Sequence, residues 1–456
     1  PSYIAFFQNS MSSSSSFGTW VGHNLLFSQG LEADIRSPCM TFSIPNYFMK
    51  LFSMDSGDGG GNNKFGLIAP QIEFWIALTV TLTIGALFST CLSCIIYHFI
   101  ILPRKQQKIN KNDLESSMTP LIVGFGIVMP LCALSPYFMV RYFIIKNKII
   151  KFLIGTSQVT SFFRCSEAVF GFLPSNVEDS LSNLILYNAF PVEAKFDSQG
   201  PIKSTWINVK SHFINWVKYM FILGSFSSIM MAYDYEPFPK EEGPALRDIN
   251  LLTGFSYGQL INNLLIATMF QVYLTTFGFG LNFLASLCGL QLIPFMLNPI
   301  FESSSVSDFW GKRWNLVVHG LLKRGVYKPV RSKYSRLAAS TATFIASGVF
   351  HEWLLSIVFY SDNEDGSCSP ICYSPGYGRN TLFFVWNSIL IGLEYAIGGA
   401  AIFQLCRKHL PIMLVSLMVA STALPTVHWF TNDYVRSDYF RDAGIGFPLI
   451  IRMTDE

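Results

Sequence analysis

Two short stretches concentrate the polar chemistry in the second half of this chain. The first, "SDFWGKRWNLVV" from Ser307 to Val318, sets two tryptophans, two cations and an asparagine between apolar runs. The second, "ASGVFHEWLL" from Ala346 to Leu355, puts His351 and Glu352 inside an apolar segment. An ionisable side chain within a membrane-spanning segment is a functional candidate by default. A desolvated imidazole is neutral at pH 7 and can accept a proton. Beside an alcohol and a thioester, such a group acts as a general base. Ser347 and Gly348 fall one helical turn earlier on the same face, and their small size leaves room for a ligand beside the ring. Glu352, the next residue, points elsewhere around the helix. A hydrogen bond to a neighbouring helix would explain His351 structurally.

In the first stretch, Ser305 followed by Asp308 resembles a capping box, which predicts a helix from there to Pro329. On such a helix Asp308, Gly311, Lys312, Asn315 and His319 form one stripe, and Trp310, Trp314, Val317 and Leu321 another. This helix is too charged to span. One reading makes it an interfacial anchor with its tryptophans at headgroup depth. The other turns the polar stripe toward a substrate chamber. Lys312 and Arg313 would then suit an anionic group such as a CoA phosphate, with Trp310 and Trp314 beside them on the substrate. Asn315 would donate a hydrogen bond to a carbonyl oxygen that gains charge during acyl transfer.

The elements that must hold these residues are membrane helices. The chain has 456 residues, of which 50% are hydrophobic and 13% charged, and its mean hydropathy is +0.37. Soluble domains carry about 25% charged residues, so lipid is the expected solvent for much of the surface. A spanning helix takes about 20 apolar residues. Candidates are Phe74–Leu102 ending at Pro103, Leu121–Ile145 interrupted by Pro130 and Pro136, Ile149–Leu173, and Trp216–Tyr233. Further along lie Ser256–Leu297, read as two spans hinged near Gly278 and Gly280, then Leu337–Tyr360, Thr381–Leu405 and Pro411–Phe430. The expected fold is therefore all-α and polytopic, with eight or nine spans around an intramembrane chamber and the amphipathic helix on the cytosolic side. Residues 1–66 read as a polar N-terminal region ending in a flexible linker, "DSGDGGGNN", and 67–456 as the membrane domain. The first residues lack the basic and short apolar regions of a secretory signal.

Other polar groups compete for a role. Arg164 and Glu167, three apart in an apolar segment, are expected to pair with each other, with a pore role as the rival. A transporter built on that pair would need inverted repeats, and none is visible. His98 lies near a helix end, His409 sits beside Arg407-Lys408, and His428 in "LPTVHWF" is the closest competitor to His351. The nine cysteines show no zinc spacing, and Cys91 and Cys94 read as buried small hydrophobes. The net charge of +3 gives no nucleic-acid footprint.

The densest basic stretch, 312–336, holds eight lysines and arginines and should face the cytosol. The next helix then runs outward. The 361–379 loop falls in the lumen, where Cys368 and Cys372 could pair. Basic groups at both ends of the Leu121–Ile145 segment fit neither side cleanly.

"DFWGKRWN" resembles the "FWGRRWN" signature of the wax synthase-like branch of membrane-bound O-acyltransferases, and "SGVFHEW" resembles its "SGxxHE" segment. Asn315 and His351 stand 36 residues apart, in keeping with that branch. "VYKPV" and "FFVWNSILIGLE" are also similar, and the likeness is specific over about residues 300–400. The resemblance implies tilted helices around a chamber open to cytosol and bilayer. It implies His351 as catalytic base, with Asn315 as the second family residue. It implies acyl-CoA as donor and a lipid alcohol as acceptor: a fatty alcohol, diacylglycerol or a sterol. No metal or resident cofactor is expected, and the expected location is the endoplasmic reticulum membrane. Lys312 stands where an arginine is common, which keeps the charge and loses bidentate geometry.

Overall fold

In the computed structural model of the protein, the described residues are 72–109, 118–143, 145, 147–197, 200–233, 235–238, 256–360, 375–397, 408–437 and 439–442, with strands at 40–43, 64–68 and 449–453. The long apolar runs fold as helices: α1 (72–109), α2 (Thr119–Tyr142), α3 (Lys148–Phe170), the short α4 (Leu181–Ala189), α5 (Trp206–Ala232) and α6 (Tyr257–Leu287). After them come α7 (Pro299–Glu302), α8 (306–313), α9 (316–331), α10 (Arg336–Val358), α11 (Arg379–Ile397), α12 (Ile412–Arg436) and α13 (Tyr439–Asp442). β1 (Met40–Ser43), β2 (Lys64–Ile68) and β5 (Leu449–Met453) form an antiparallel sheet with β2 in the centre, so part of the expected polar N-terminal region is strand. β3 (Phe196–Asp197) and β4 (Gly200–Pro201) make a two-stranded ribbon.

Among the described residues, six helices are long and apolar enough to cross a membrane: those within α1, α2, α6, α10, α11 and α12. Their outer faces carry large apolar side chains, such as Leu87 and Phe138 at 64% and 61% exposure, as expected for lipid contact. The expectation of eight or nine spans differs mainly at three places. α3 and α5 are comparably long but more polar. The Ser256–Leu297 stretch is one 31-residue helix ending at Leu287, with no hinge. Gly278 and Gly280 serve packing instead: a Cβ would come within 2.5 Å of Phe295 Cβ at the first and 2.8 Å of Trp216 Nε1 at the second.

Prolines also bend the expectation. α1 continues through Pro103 to Ile109, because the proline follows a π-turn at Tyr97–Ile101 and sits in the first turn of the next segment. Likewise α2 stays continuous past Pro130, preceded by a π-turn at Gly124–Val128, and past the interior Pro136. Side-chain caps fix several starts. Asn147 Oδ1 accepts from the Ile149 and Ile150 amides at the head of α3, and Ser335 Oγ accepts from Ala338 N at the head of α10. Gly171, at φ 74°, closes α3.

The core joins α3, α5, α6, α10 and the segment from Tyr434 to Phe440, with Met269, Leu355, Val358 and Phe440 fully buried. α10 lies against α11 at Gly348, where a Cβ would meet Thr381 Cα at 2.6 Å. Gly348 is therefore a close-packing residue, and the space expected beside His351 does not come from it.

Candidate active site

The helix expected from Ser305 to Pro329 is broken. α8 starts as predicted, with Ser305 Oγ accepting from Asp308 N at 3.0 Å, and then winds into a π-turn at Phe309–Arg313. Asp308 does not reach back to complete the box; its carboxylate accepts from Ser304 N and from Arg313 Nε instead. Trp314 is extended and Asn315 adopts a left-handed backbone at φ 39°, a conformation asparagine tolerates. α9 begins only after it. Pro329 falls in the first turn of its last segment, Lys328–Arg331, and does not stop the helix. Asp308 and Asn315 thus share no helical stripe. The break aims Asn315 and the start of α9 at a common space. Leu316 N donates to Phe295 O and Leu297 N to Arg313 O, which pins the break to the preceding loop.

That space is a cavity of about 750 Å³, lined mostly by apolar and aromatic groups including Phe270, Phe350, Phe383, Phe384 and Phe430. Such volume and lining suit a small-molecule site. Trp310, Lys312, Trp314, Asn315 and His351 all line it, which brings together five of the six expected site residues. Arg313 is the exception. It bonds Asp308 at 2.9 Å, Glu302 at 2.9 Å and the Leu297 carbonyl, and so holds the loop rather than the cavity wall. The tryptophans do not sit as surface anchors. Trp310 packs against Phe344, Phe383 and Phe384 and donates its indole N–H to Asn387 Oδ1 at 3.0 Å. Phe309 stacks on Trp314, ring centroids 5.4 Å apart.

The Asn315 side chain has a fixed orientation. Val318 N donates to its side-chain oxygen at 3.2 Å; a backbone N–H can only donate, so the oxygen caps α9 and the amide –NH₂ is left over. Among the described residues that –NH₂ has no protein partner, and Asn315 lines the cavity. His351 is fixed by the same logic. Its Nδ1 lies 2.7 Å from the Ser347 carbonyl, which can only accept, so Nδ1 carries the proton and the neutral ring keeps its lone pair on Nε2. Phe384 stacks on the ring at 4.7 Å, and Phe430 meets it edge-on at 5.2 Å. Glu352 turns to the other side and accepts from Thr381 N.

The competitors fall elsewhere. His428 is buried but does not line the cavity, and His98 and His409 are exposed. Arg164 and Glu167 do not pair with each other. Glu167 accepts from Tyr187 at 2.8 Å and pairs with Arg324, which also bonds Glu193 at 2.5 Å. Arg164 donates to the Phe190 carbonyl and stacks its guanidinium over the Tyr187 ring. This network ties α3 and α4 to α9. Helical spacing could not have revealed it, because Glu167 and Arg324 are 157 positions apart. His319, one turn after Asn315, lines the cavity too, and burial, helped by Lys323 and Arg324, lowers its pKa to about 4. Cys91 is exposed and Cys94 half-buried, while Cys368 and Cys372 lie outside the described residues. No His, Cys, Asp and Glu cluster among the described residues could hold a metal.

Fold and cavity together define a polytopic helical membrane protein with an internal, mostly apolar cavity. Residues 293–385, which contain both motifs, match the model of the membrane bound O-acyl transferase family. A probable long-chain-alcohol O-fatty-acyltransferase of Arabidopsis thaliana is 36% identical over 124 residues, 25% of this chain and 32% of the relative. Another from the same plant is 30% identical over 234 residues, covering 49% and 55%. An acyl-CoA–sterol O-acyltransferase of Arabidopsis thaliana is 40% identical over 70 residues, covering 14% and 20%. The likeness to the membrane bound O-acyl transferase family thus covers the segment that holds both motifs. The chain's matches to these relatives span between about a fifth and about half of their length.

Proposed function

We propose that the protein transfers a fatty acyl group from acyl-CoA to the hydroxyl of a long-chain alcohol, forming a wax ester, in the endoplasmic reticulum membrane. The observation that carries this reading is the pairing, in one apolar cavity, of an imidazole with Nε2 free to take a proton and an amide –NH₂ free to donate. His351 Nε2 takes the proton of the alcohol hydroxyl as its oxygen attacks the thioester carbonyl. The Asn315 –NH₂ donates to the carbonyl oxygen as charge builds there. The C–O bond forms, the C–S bond breaks, and the imidazolium returns its proton to the CoA thiolate. Holding both reactants in one chamber supplies rate through orientation. Trp310 and Trp314 flank the acyl chain, and Lys312 faces the CoA phosphates from the rim. Arg313 holds the loop that presents them. CoA leaves toward the cytosol, on the side of the basic 312–336 stretch.

The names of the long-chain-alcohol relatives support the fatty-alcohol acceptor, and the sterol relative supports a sterol as the alternative. A transporter finds no support in Arg164 and Glu167, since each is bound into the α3–α4–α9 network. The deciding experiment uses microsomes from expressing cells with labelled acyl-CoA and competing fatty alcohol, diacylglycerol and sterol. Labelled wax ester is expected. Labelled steryl ester or triacylglycerol alone would reassign the acceptor, and untouched donor would overturn acyl transfer.

A further inference from the structure

The threonines that line the cavity, Thr156, Thr160, Thr343, Thr422 and Thr431, each donate their hydroxyl hydrogen to a carbonyl three or four residues back on their own helix. Three tyrosines of the same lining behave differently. Tyr273 on α6, Tyr434 on α12 and Tyr439 on α13 are each more than nine-tenths buried. The Tyr273 and Tyr439 hydroxyls meet at 3.3 Å. Such a pair holds two hydrogens and uses one, so one O–H is left over. The Tyr434 ring packs edge-on against the Tyr439 ring, centroids 5.2 Å apart, and its hydroxyl has no hydrogen-bond partner among the described residues. A buried hydroxyl without a partner costs free energy, so a cluster of them calls for an occupant that bonds to it.

The cluster lies away from the basic rim. Tyr439 meets Phe152 near the start of α3, and Tyr434 meets Phe359 at the end of α10. α9 packs near the other end of α3, where Ser166 donates to the Gly325 carbonyl at 2.8 Å. His351 stands between, joined to Tyr434 through Phe430, which lies 5.2 Å from the imidazole and 6.1 Å from Tyr434. From His351 to Phe359 the α10 backbone advances roughly 12 Å. A chain whose reacting carbon sits at His351 therefore passes the tyrosine hydroxyls part-way along its length. Phenol hydroxyls are neutral and both donate and accept, which suits another neutral hydroxyl.

Resting on the acyl-transfer reading above, we propose that Tyr273, Tyr434 and Tyr439 form a subsite for a hydroxyl group carried on an aliphatic chain, part-way between its reacting end and its tail. The acyl group of the donor and the far end of a diol acceptor offer the same chemistry. An unsubstituted chain puts methylenes there and leaves the phenol hydroxyls unpaired, which makes it the poorer substrate.

The test uses membranes containing the full-length protein. In one arm, hydroxyoctadecanoyl-CoA competes with octadecanoyl-CoA for a fixed fatty alcohol; in the other, a long-chain diol competes with the plain alcohol for a fixed acyl-CoA. Wild type should favour the hydroxylated chain roughly tenfold in kcat/KM, the value of one hydrogen bond, in the arm whose substrate reaches the tyrosines. The preference should peak at one mid-chain hydroxyl position and vanish when the hydroxyl is moved next to the thioester. Tyr434→Phe and Tyr273→Phe, which keep the rings, should each bring the ratio toward one. Plain and hydroxylated chains used equally by wild type in both arms, or a preference untouched by both phenylalanine variants, overturns the subsite while leaving acyl transfer standing. A wild-type protein that forms no ester in either arm overturns acyl transfer itself.

Discussion

The His351 imidazole donates its Nδ1 proton to the carbonyl of Ser347, one turn back on its own helix and 2.7 Å away. That bond sets the tautomer without help from any carboxylate, and Glu352, the nearest acid in sequence, is engaged with Thr381 instead. An imidazole oriented by backbone alone makes a simple forecast for the proposed base. His351→Ala should cut ester formation by a factor on the order of 10²–10⁴ with the protein still membrane-integrated. Labelled acyl-CoA turnover normalised to protein in the membrane measures it, and wild-type output would refute the assignment.

Asn315 has two separable duties, a cap through Oδ1 and a free –NH₂. Asn315→Asp keeps the cap acceptor and removes the donor, while Asn315→Gly accepts the left-handed backbone and costs only a few tenths of a kcal/mol at a cap. Both should fold, and both should lose roughly 10²–10³ in turnover, as when an oxyanion donor is removed. Full turnover in the glycine variant would reduce Asn315 to a structural residue.

The Arg324–Glu167–Glu193 network is half-buried, with Glu167 fully enclosed. Arg324→Met should destabilise the protein by about 3–5 kcal/mol, because two carboxylates lose their cation. Thermal unfolding in detergent reads this directly; an unchanged melting temperature would show that the pairs contribute nothing.

At Gly348 an added methyl meets the α11 backbone at Thr381. Gly348→Ala should cost about 1–3 kcal/mol as α10 and α11 are forced apart. Gly126, with nothing within 4 Å of the same added atom, is the control position and should tolerate alanine.

His319 supplies a pH prediction. Its folded-state pKa, about 4, lies below the ordinary value of 6.5, so the unfolded chain binds its proton more readily. The stability from its neutral form is fully present above about pH 6.5 and is lost as pH falls toward about 4. Melting curves across that window should therefore fall less steeply for His319→Gln than for wild type. Parallel curves would place the ring in water.

How much of this was legible in the sequence depends on range. The starts of the helices at Leu337, Thr381 and Pro411 were readable to within two residues, because apolar length is a local property that lipid enforces on each segment alone. Two polar residues that line the cavity, Asn315 and His351, were readable as well: asparagine and histidine in apolar surroundings are costly enough to stand out. The continuous helix from Ser305 to Pro329 was misread because periodicity cannot register a single left-handed residue, and Asn315 at φ 39° is where the pattern breaks. Asn387 and Glu394 lie in the third motif-like segment, "FFVWNSILIGLE", but only the fold shows why they matter. They accept from the Trp310 indole and from Ser307, and so clamp the first motif to α11.

By itself, then, the amino-acid sequence determined a lipid-embedded helical chain and singled out two polar groups, Asn315 and His351, in apolar surroundings. Tertiary structure decided which neighbours those groups have. It gave Arg313 and Arg324 to carboxylates up to 157 positions away, left Lys312 and Lys323 facing the cavity, and broke the amphipathic helix so that Asn315 and His351 line one space. Burial and hydrogen-bond satisfaction are properties of the packed chain, and adjacent cations of like charge, Lys312 beside Arg313 and Lys323 beside Arg324, receive different roles from it.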